Sequence, residues 1–296
     1  MTSVIHDIGY RHYDGPRLGR PYAIRSLYLH NLRAVYGLGR PAKSKIMPFL
    51  LFAIMLLPAA ISVAVTALAS SIGAGQSVNL IRYESYTIYL QPLIAIFLAA
   101  QSPVVASRDL RFRVLPLYFS RQLSRLDYVL AKYGALTTAL MILLATPVTI
   151  LFIGALATRQ KHLDTHALHF AAALGGCLIL AMVLAAIGLL VAAFTPRRGL
   201  GVTAVMAVYL ISTAAVGAVQ GIAEENTKFA LARWAGIFTP FDLVDGVQVW
   251  ALRVKHSSPE PPPAGLGGAV FALTCVAIVA GSLALLYLRF RKAGSK

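Results

Sequence analysis

Few side chains in this 296-residue chain are spaced for chemistry. In "HLDTHALH", His162, His166 and His169 recur at i, i+4 and i+7, on one helical face, a spacing that could hold a metal ion. No supporting carboxylate joins them, since Asp164 falls on a different face, so they read as histidines at a membrane interface. "GLGRPAKS", Gly37 to Ser44, nearly matches a phosphate-binding loop, but Ala42 replaces the second glycine and no strand is expected before it. Cys177 and Cys275 both lie in apolar runs and read as small core residues. H-E-x-x-H, G-x-S-x-G and C-x-x-C are all absent. The expectation is a non-enzymatic chain with no catalytic residue, metal or cofactor of its own.

The most distinctive stretch is "SRDLRFRVLPLYFSRQLSRLDYVLAKY", residues 107–133. Arg108, Arg111, Arg113, Arg121, Arg125 and Lys132 face only Asp109 and Asp127, with apolar residues between them. The segment is too basic to span a bilayer: Arg108, Arg111 and Arg113 alone would cost about 8–10 kcal/mol at its centre. Its apolar residues nevertheless need cover. Pro116 interrupts it, so one short helix is expected to end near Leu115 and another to begin from Pro116.

The elements around this segment are membrane spans. The chain is 58% hydrophobic and 13% charged, well below the charge of a soluble domain. Six apolar runs, at about 46–69, 85–106, 130–156, 167–194, 200–221 and 267–288, are each long enough to cross the hydrocarbon. The first is too long for a signal peptide and lacks a cleavage site. The fold class expected is an all-α polytopic membrane protein. Lysines and arginines concentrate in the N-terminal arm, the 107–133 segment, the "TPRRG" turn and the C-terminal tail, and these hold the whole net charge of +16. The positive-inside rule therefore places these segments and both termini in the cytoplasm, against anionic lipid. A nucleic-acid partner would need a folded basic domain, and none is visible.

"RPYAIRSLYLHNLRAVYGLGR", 20–40, alternates apolar Ile24, Leu27, Tyr28, Leu32, Val35 and Tyr36 with polar Arg25, His30, Asn31 and Arg33 at helical spacing. It reads as an amphipathic interfacial helix, ended by Gly37, Gly39 and Pro41. The organisation expected is an arm over 1–45, a six-span domain over 46–289 and a basic tail over 290–296. The domain carries a cytoplasmic segment at 107–129 and an extracellular one at 222–266. Within the latter, "RWAGIFTPFDLVDGVQVWALR" reads as short helices anchored by Trp234, Phe241 and Trp250, followed by a stiff exposed "SSPEPPPAG" loop. Gly217 and Gly221 form a G-x-x-x-G that permits close helix contact. The spans lack a central ionisable residue of the kind that proton- and ion-coupled transporters use as relays.

These features together resemble the membrane subunit of a type-2 ABC transporter, the permease of the six-span, ABCG-like (type V) exporter fold. The resemblance covers most of the chain in topology and some 25–30 residues in motif. It rests on Asp109, Leu115 and Leu117, then "SRQLSR" from Ser120 to Arg125, then Tyr128 and Lys132. Arg113 stands near the family's glycine, and Gln122 stands where the family has proline. The resemblance implies a separate ABC ATPase that carries ATP and Mg, and a pairing with a second copy or a homologous permease. It implies a coupling helix presenting Asp109, Leu115, Leu117, Phe119, Arg121 and Arg125 to the ATPase. A substrate path for a hydrophobic or amphipathic compound would follow the second and fifth spans, past Tyr89, Gln91, Phe97, Met206, Tyr209 and Ser212. Glu224 and Glu225 would stand at an extracellular gate. The residues alone leave two other readings open: a secondary transporter or channel, and a non-transporting membrane scaffold.

Overall fold

The computed structural model describes residue 15 and residues 18–71, 81–112, 114–120, 123–158, 163–195 and 197–293. Arg113, Arg121, Gln122 and His162 lie outside them. The described residues are helical, with no strand among them. Six helices are long and apolar enough to cross a membrane, so the chain is an all-α multi-pass membrane protein.

Helix α1 (Arg20–Val35) leads through a glycine turn into α2 (Lys43–Ser71), the first span. The second apolar run divides into α3 (Tyr86–Tyr89) and α4 (Gln91–Val105). The break at Leu90 was not expected, and its cause is Pro92, which lacks the backbone donor needed to continue a helix across it. Two short helices follow, α5 (Ser107–Arg111) and α6 (Leu115–Phe119), and they form an elbow. The first ends at Arg111, a turn earlier than expected, and the second carries Pro116 in its first turn, where no donor is lost. Spans three to five are α7 (Arg125–Ala157), α8 (Leu163–Phe194) and α9 (Arg198–Glu225). Then come α10 (Phe229–Ala235), a 3₁₀ turn at Gly236–Phe238, α11 (Pro240–Leu252) and the last span α12 (Gly267–Ala293).

The core lies where α4, α7 and α8 meet. Helix α4 is mostly buried, whereas α2, α9 and α12 leave most of their length exposed, as lipid-facing helices do. Close approach of α4 and α8 depends on Gly188, where a methyl group would fall 2.4 Å from the Ser102 hydroxyl and 2.8 Å from Leu98. Gly217 and Gly221 make no such contact among the described residues, since none of these lies within 4 Å of where their Cβ atoms would be.

Helix α1 runs beside the first half of α7. Tyr28 donates to the Thr138 hydroxyl at 2.9 Å, and Tyr36 donates to the Ala139 carbonyl at 2.7 Å. Asn31, expected on the polar face, is buried, and its amide bonds back to the Leu27 carbonyl at 2.8 Å.

Candidate functional site

The helix ends carrying the elbow, the start of α1 and the last turn of α12 form the basic end of the bundle. Helix α7 begins there with a capping box. The Ser124 hydroxyl accepts from the Asp127 amide, and the Asp127 carboxylate accepts from the Ser124 amide, so each satisfies an orphan donor. Asp127 also receives both arms of Arg20, at 2.8 and 2.9 Å, which ties the first turn of α1 to the start of α7. Arg20 is exposed, so the pair sets position and adds little to stability.

One turn further along α7 the arrangement is buried. Lys132 has 2% of its side chain exposed, and its ammonium lies 2.8 Å from the Asp109 carboxylate, itself 13% exposed. The same ammonium donates to the Val105 carbonyl at the end of α4. Tyr128, wholly buried, donates to Asp109 at 2.8 Å. The Tyr128 ring is the hub of an aromatic cluster with Tyr118 (5.5 Å), Phe119 (5.7 Å) and Phe290 of α12 (5.2 Å), and the Lys132 ammonium stands over it. The ammonium orphaned by burial is thus shared among a carboxylate, a carbonyl and a ring face, as a buried cation requires. The elbow is thereby fixed to α4, α7 and α12 together.

The six elbow residues singled out in the sequence separate by environment. Leu117 is 67% exposed among the described residues. Leu115 is buried and anchors α6 from below. Asp109 faces Lys132 and Tyr128, and Phe119 turns inward onto Tyr128. Arg125 lies over the Phe119 ring, and Arg121 is outside the described residues. Asp109, Leu115 and Phe119 therefore support the elbow from within. Phe112 and Leu126 are exposed apolar neighbours at the same end. Between α1 and α6 runs an open groove of about 1,090 Å³, with Leu18, Tyr22, His30, Leu117, Tyr118 and Leu123 in its walls.

His30 Nε2 lies 3.5 Å from the Arg108 guanidinium. Burial first, then the positive charge of Arg108, with smaller contributions from Arg40 and Lys132, outweighs the opposing pull of Asp109 and holds the His30 pKa below its ordinary 6.5. A histidine depressed in this way contributes its full stability above pH 6.5 and loses it as pH falls toward the folded value. Thermal stability is expected to drop on acidification through this window, and His30→Gln should flatten that part of the profile.

The residues placed on the substrate path do not converge. Tyr89 is 66% exposed beside the Leu90 break, whereas Phe97 has no exposed surface and packs against Tyr36 at 6.2 Å. Phe97 is therefore enclosed in the core of the chain and lies on no outer face. Gln91 is half-buried in the first turn of α4. Tyr209 meets Phe241 edge-on at 6.0 Å, Ser212 donates back to the Tyr209 carbonyl at 2.9 Å, and Met206 flanks the core on the same helix. Phe241, expected as an interfacial anchor, is buried in this contact, while Trp234 and Trp250 are half-exposed.

At the opposite end, Glu224 and Glu225 are exposed at the end of α9. Burial, then the neighbouring Glu224 carboxyl, raises the pKa of the Glu260 carboxyl above its ordinary 4.5. The Pro-rich segment is held down and not freely exposed. Buried Asp245 accepts from the Ser257 amide at 3.0 Å, and from the Ser258 amide and hydroxyl at 3.0 and 2.8 Å. Arg82 donates to the Lys255 and His256 carbonyls. Asp245→Ala would orphan these donors at about 1–3 kcal/mol of local stability. Proteolysis across residues 253–263 should accelerate while the spans stay intact. Nearby, His166 Nδ1 lies 3.1 Å from the Tyr83 hydroxyl, and His169 pairs with Glu84, beside a cavity of about 240 Å³. No group of three metal-capable side chains occurs among the described residues.

The interactions that organise the elbow were only partly visible in the sequence. Lys132 and Tyr128 stood out as motif positions, with no sign that they share one carboxylate. Their i, i+4 spacing on α7, which puts both on one face, is the available signal. A scan against family models and a search of curated proteins find no match to the chain.

Proposed function

We propose that the chain is the membrane subunit of an ATP-driven ABC exporter, moving a hydrophobic or amphipathic compound with a separate ATPase that supplies ATP and Mg. One observation carries this reading: exposed Leu117 stands on an elbow that a buried ion pair fixes to three spans. An apolar knob on a rigid lever can transmit a partner's movement into the bundle, whereas a mobile loop would absorb it. The groove beside Leu117 gives a partner helix room to seat. The basic charge of this end supports a cytoplasmic position for it, in a cell membrane. A second permease copy, or a homologous one, completes the assembly. The open face of α9, with Gly217 and Gly221 uncovered, offers it a place to approach. A photo-crosslinking residue at position 117, activated in native membranes, tests the reading. It should capture an ABC ATPase subunit, and capture of none would contradict the proposal.

A further inference from the structure

Helix α12 is packed closely at both ends of the bundle. At the basic end its last turn carries Phe290, which is buried and meets the Tyr128 ring edge-on at 5.2 Å. Its neighbour Arg289 donates to the Ala193 carbonyl at 3.5 Å and lies over the Phe194 ring. At the opposite end the first turns of α12 carry Gly268 and Phe271. A Cβ on Gly268 would fall 2.1 Å from the Trp250 Cβ, so α12 and α11 approach there as closely as a glycine allows. A Cβ on Gly246 of α11 would stand 2.4 Å from the buried Phe271 ring, whose centroid is 6.1 Å from that of Trp234 in α10. Neither contact has room to absorb a shift.

Between its ends α12 is placed to move as one piece. It contains no proline, whereas α2, α4 and α7 each carry proline inside the helix, where bends arise. Phe271, Cys275, Ser282, Leu286 and Phe290 are buried and form one seam at helical spacing. Leu273, Val276 and Leu288 are exposed, as is most of the helix, so a shift of α12 disturbs little of the core. Helix α8 also meets both ends, through the Ser107 bond to Ala192 and the contact of Gly176 with Gln248. Most of α8 is buried, however, so it cannot move without repacking its neighbours. The softest point of α12 is Gly281, beside Ser282 in an unbroken stretch of helix. No described residue lies within 4 Å of where its Cβ would be, so packing does not require glycine there.

We propose that α12 is the mechanical link between the elbow and the short helices α10 and α11, with Gly281 setting its stiffness. A displacement of the Tyr128 cluster moves Phe290, and the helix carries it to Trp234 and Trp250. The link rests on packing alone and does not depend on what docks at the elbow. On the exporter reading, it is how a movement at the docking end reaches the opposite face.

Hydrogen exchange of the purified full-length chain in lipid nanodiscs tests this. Phe290→Ala should raise exchange over residues 229–252 at least about twofold, the low end of long-range couplings. Phe290 and Phe271 are about 28 Å apart along the helix, too far for a local effect. Leu27→Ala, a buried loss at the same end on α1, should leave that segment unchanged. Gly281→Ala should enlarge the response to Phe290→Ala by stiffening the helix, and Ala280→Gly should reduce it. Unchanged exchange over 229–252 in Phe290→Ala, an equal rise in Leu27→Ala, or a response indifferent to both substitutions at 280 and 281 would overturn the proposal. No ATPase takes part in this measurement, so its failure would leave the exporter reading standing, and loss of that reading would leave the link standing.

Discussion

Asp109→Ala is expected to destabilise the chain by about 3–5 kcal/mol, because it leaves the Lys132 ammonium buried without its counter-charge. The substitution also removes the acceptor of the Tyr128 hydroxyl. Lys132→Met should cost less, since Asp109 keeps that hydroxyl and has some access to water. Replacing both residues by apolar side chains of similar size should recover much of the loss, because a buried pair contributes far less than either orphaned charge costs. Detergent-driven unfolding of the four forms, read by helicity, gives the coupling directly. Additive losses would show that the two residues do not act as a pair.

Leu117→Asp is expected to leave the fold intact and abolish function. The side chain is mostly exposed, so a carboxylate there stays hydrated. If it is the central apolar contact to an ATPase, a charge at that position should weaken association at least about thirtyfold, the range of an interface hot spot. Phe119→Asp should behave differently, although it lies on the same short helix. It places a charge against the buried Tyr128 ring and so damages the elbow itself. Thermal stability separates the two: unchanged for Leu117→Asp and lowered for Phe119→Asp. Both variants retaining full association would refute the elbow as a contact.

How much of this was legible in the sequence follows from which interactions are local. The six spans were, because twenty or so apolar residues leave no other soluble solution. The elbow was too, because three arginines exclude a span and Pro116 excludes one continuous helix. The break at Leu90 follows from Pro92, but it hides inside an apolar run that reads as one helix. The inward turn of Phe119, the burial of Lys132 and the capture of the Pro-rich segment by Asp245 depend on partners far along the chain. No periodicity within either segment reports such a pairing. Asn31 was misplaced for a different reason: it bonds to its own helix at Leu27, which lets a polar residue sit on a buried face.

The exporter reading is tested most directly by capturing the tagged chain from gently solubilised native membranes and quantifying what accompanies it. An ABC ATPase subunit at one-to-one stoichiometry with the unaltered chain, and its loss with Leu117→Asp, is the result expected. Recovery of the chain without any ATPase, or equal recovery of the ATPase with Leu117→Asp, would contradict it.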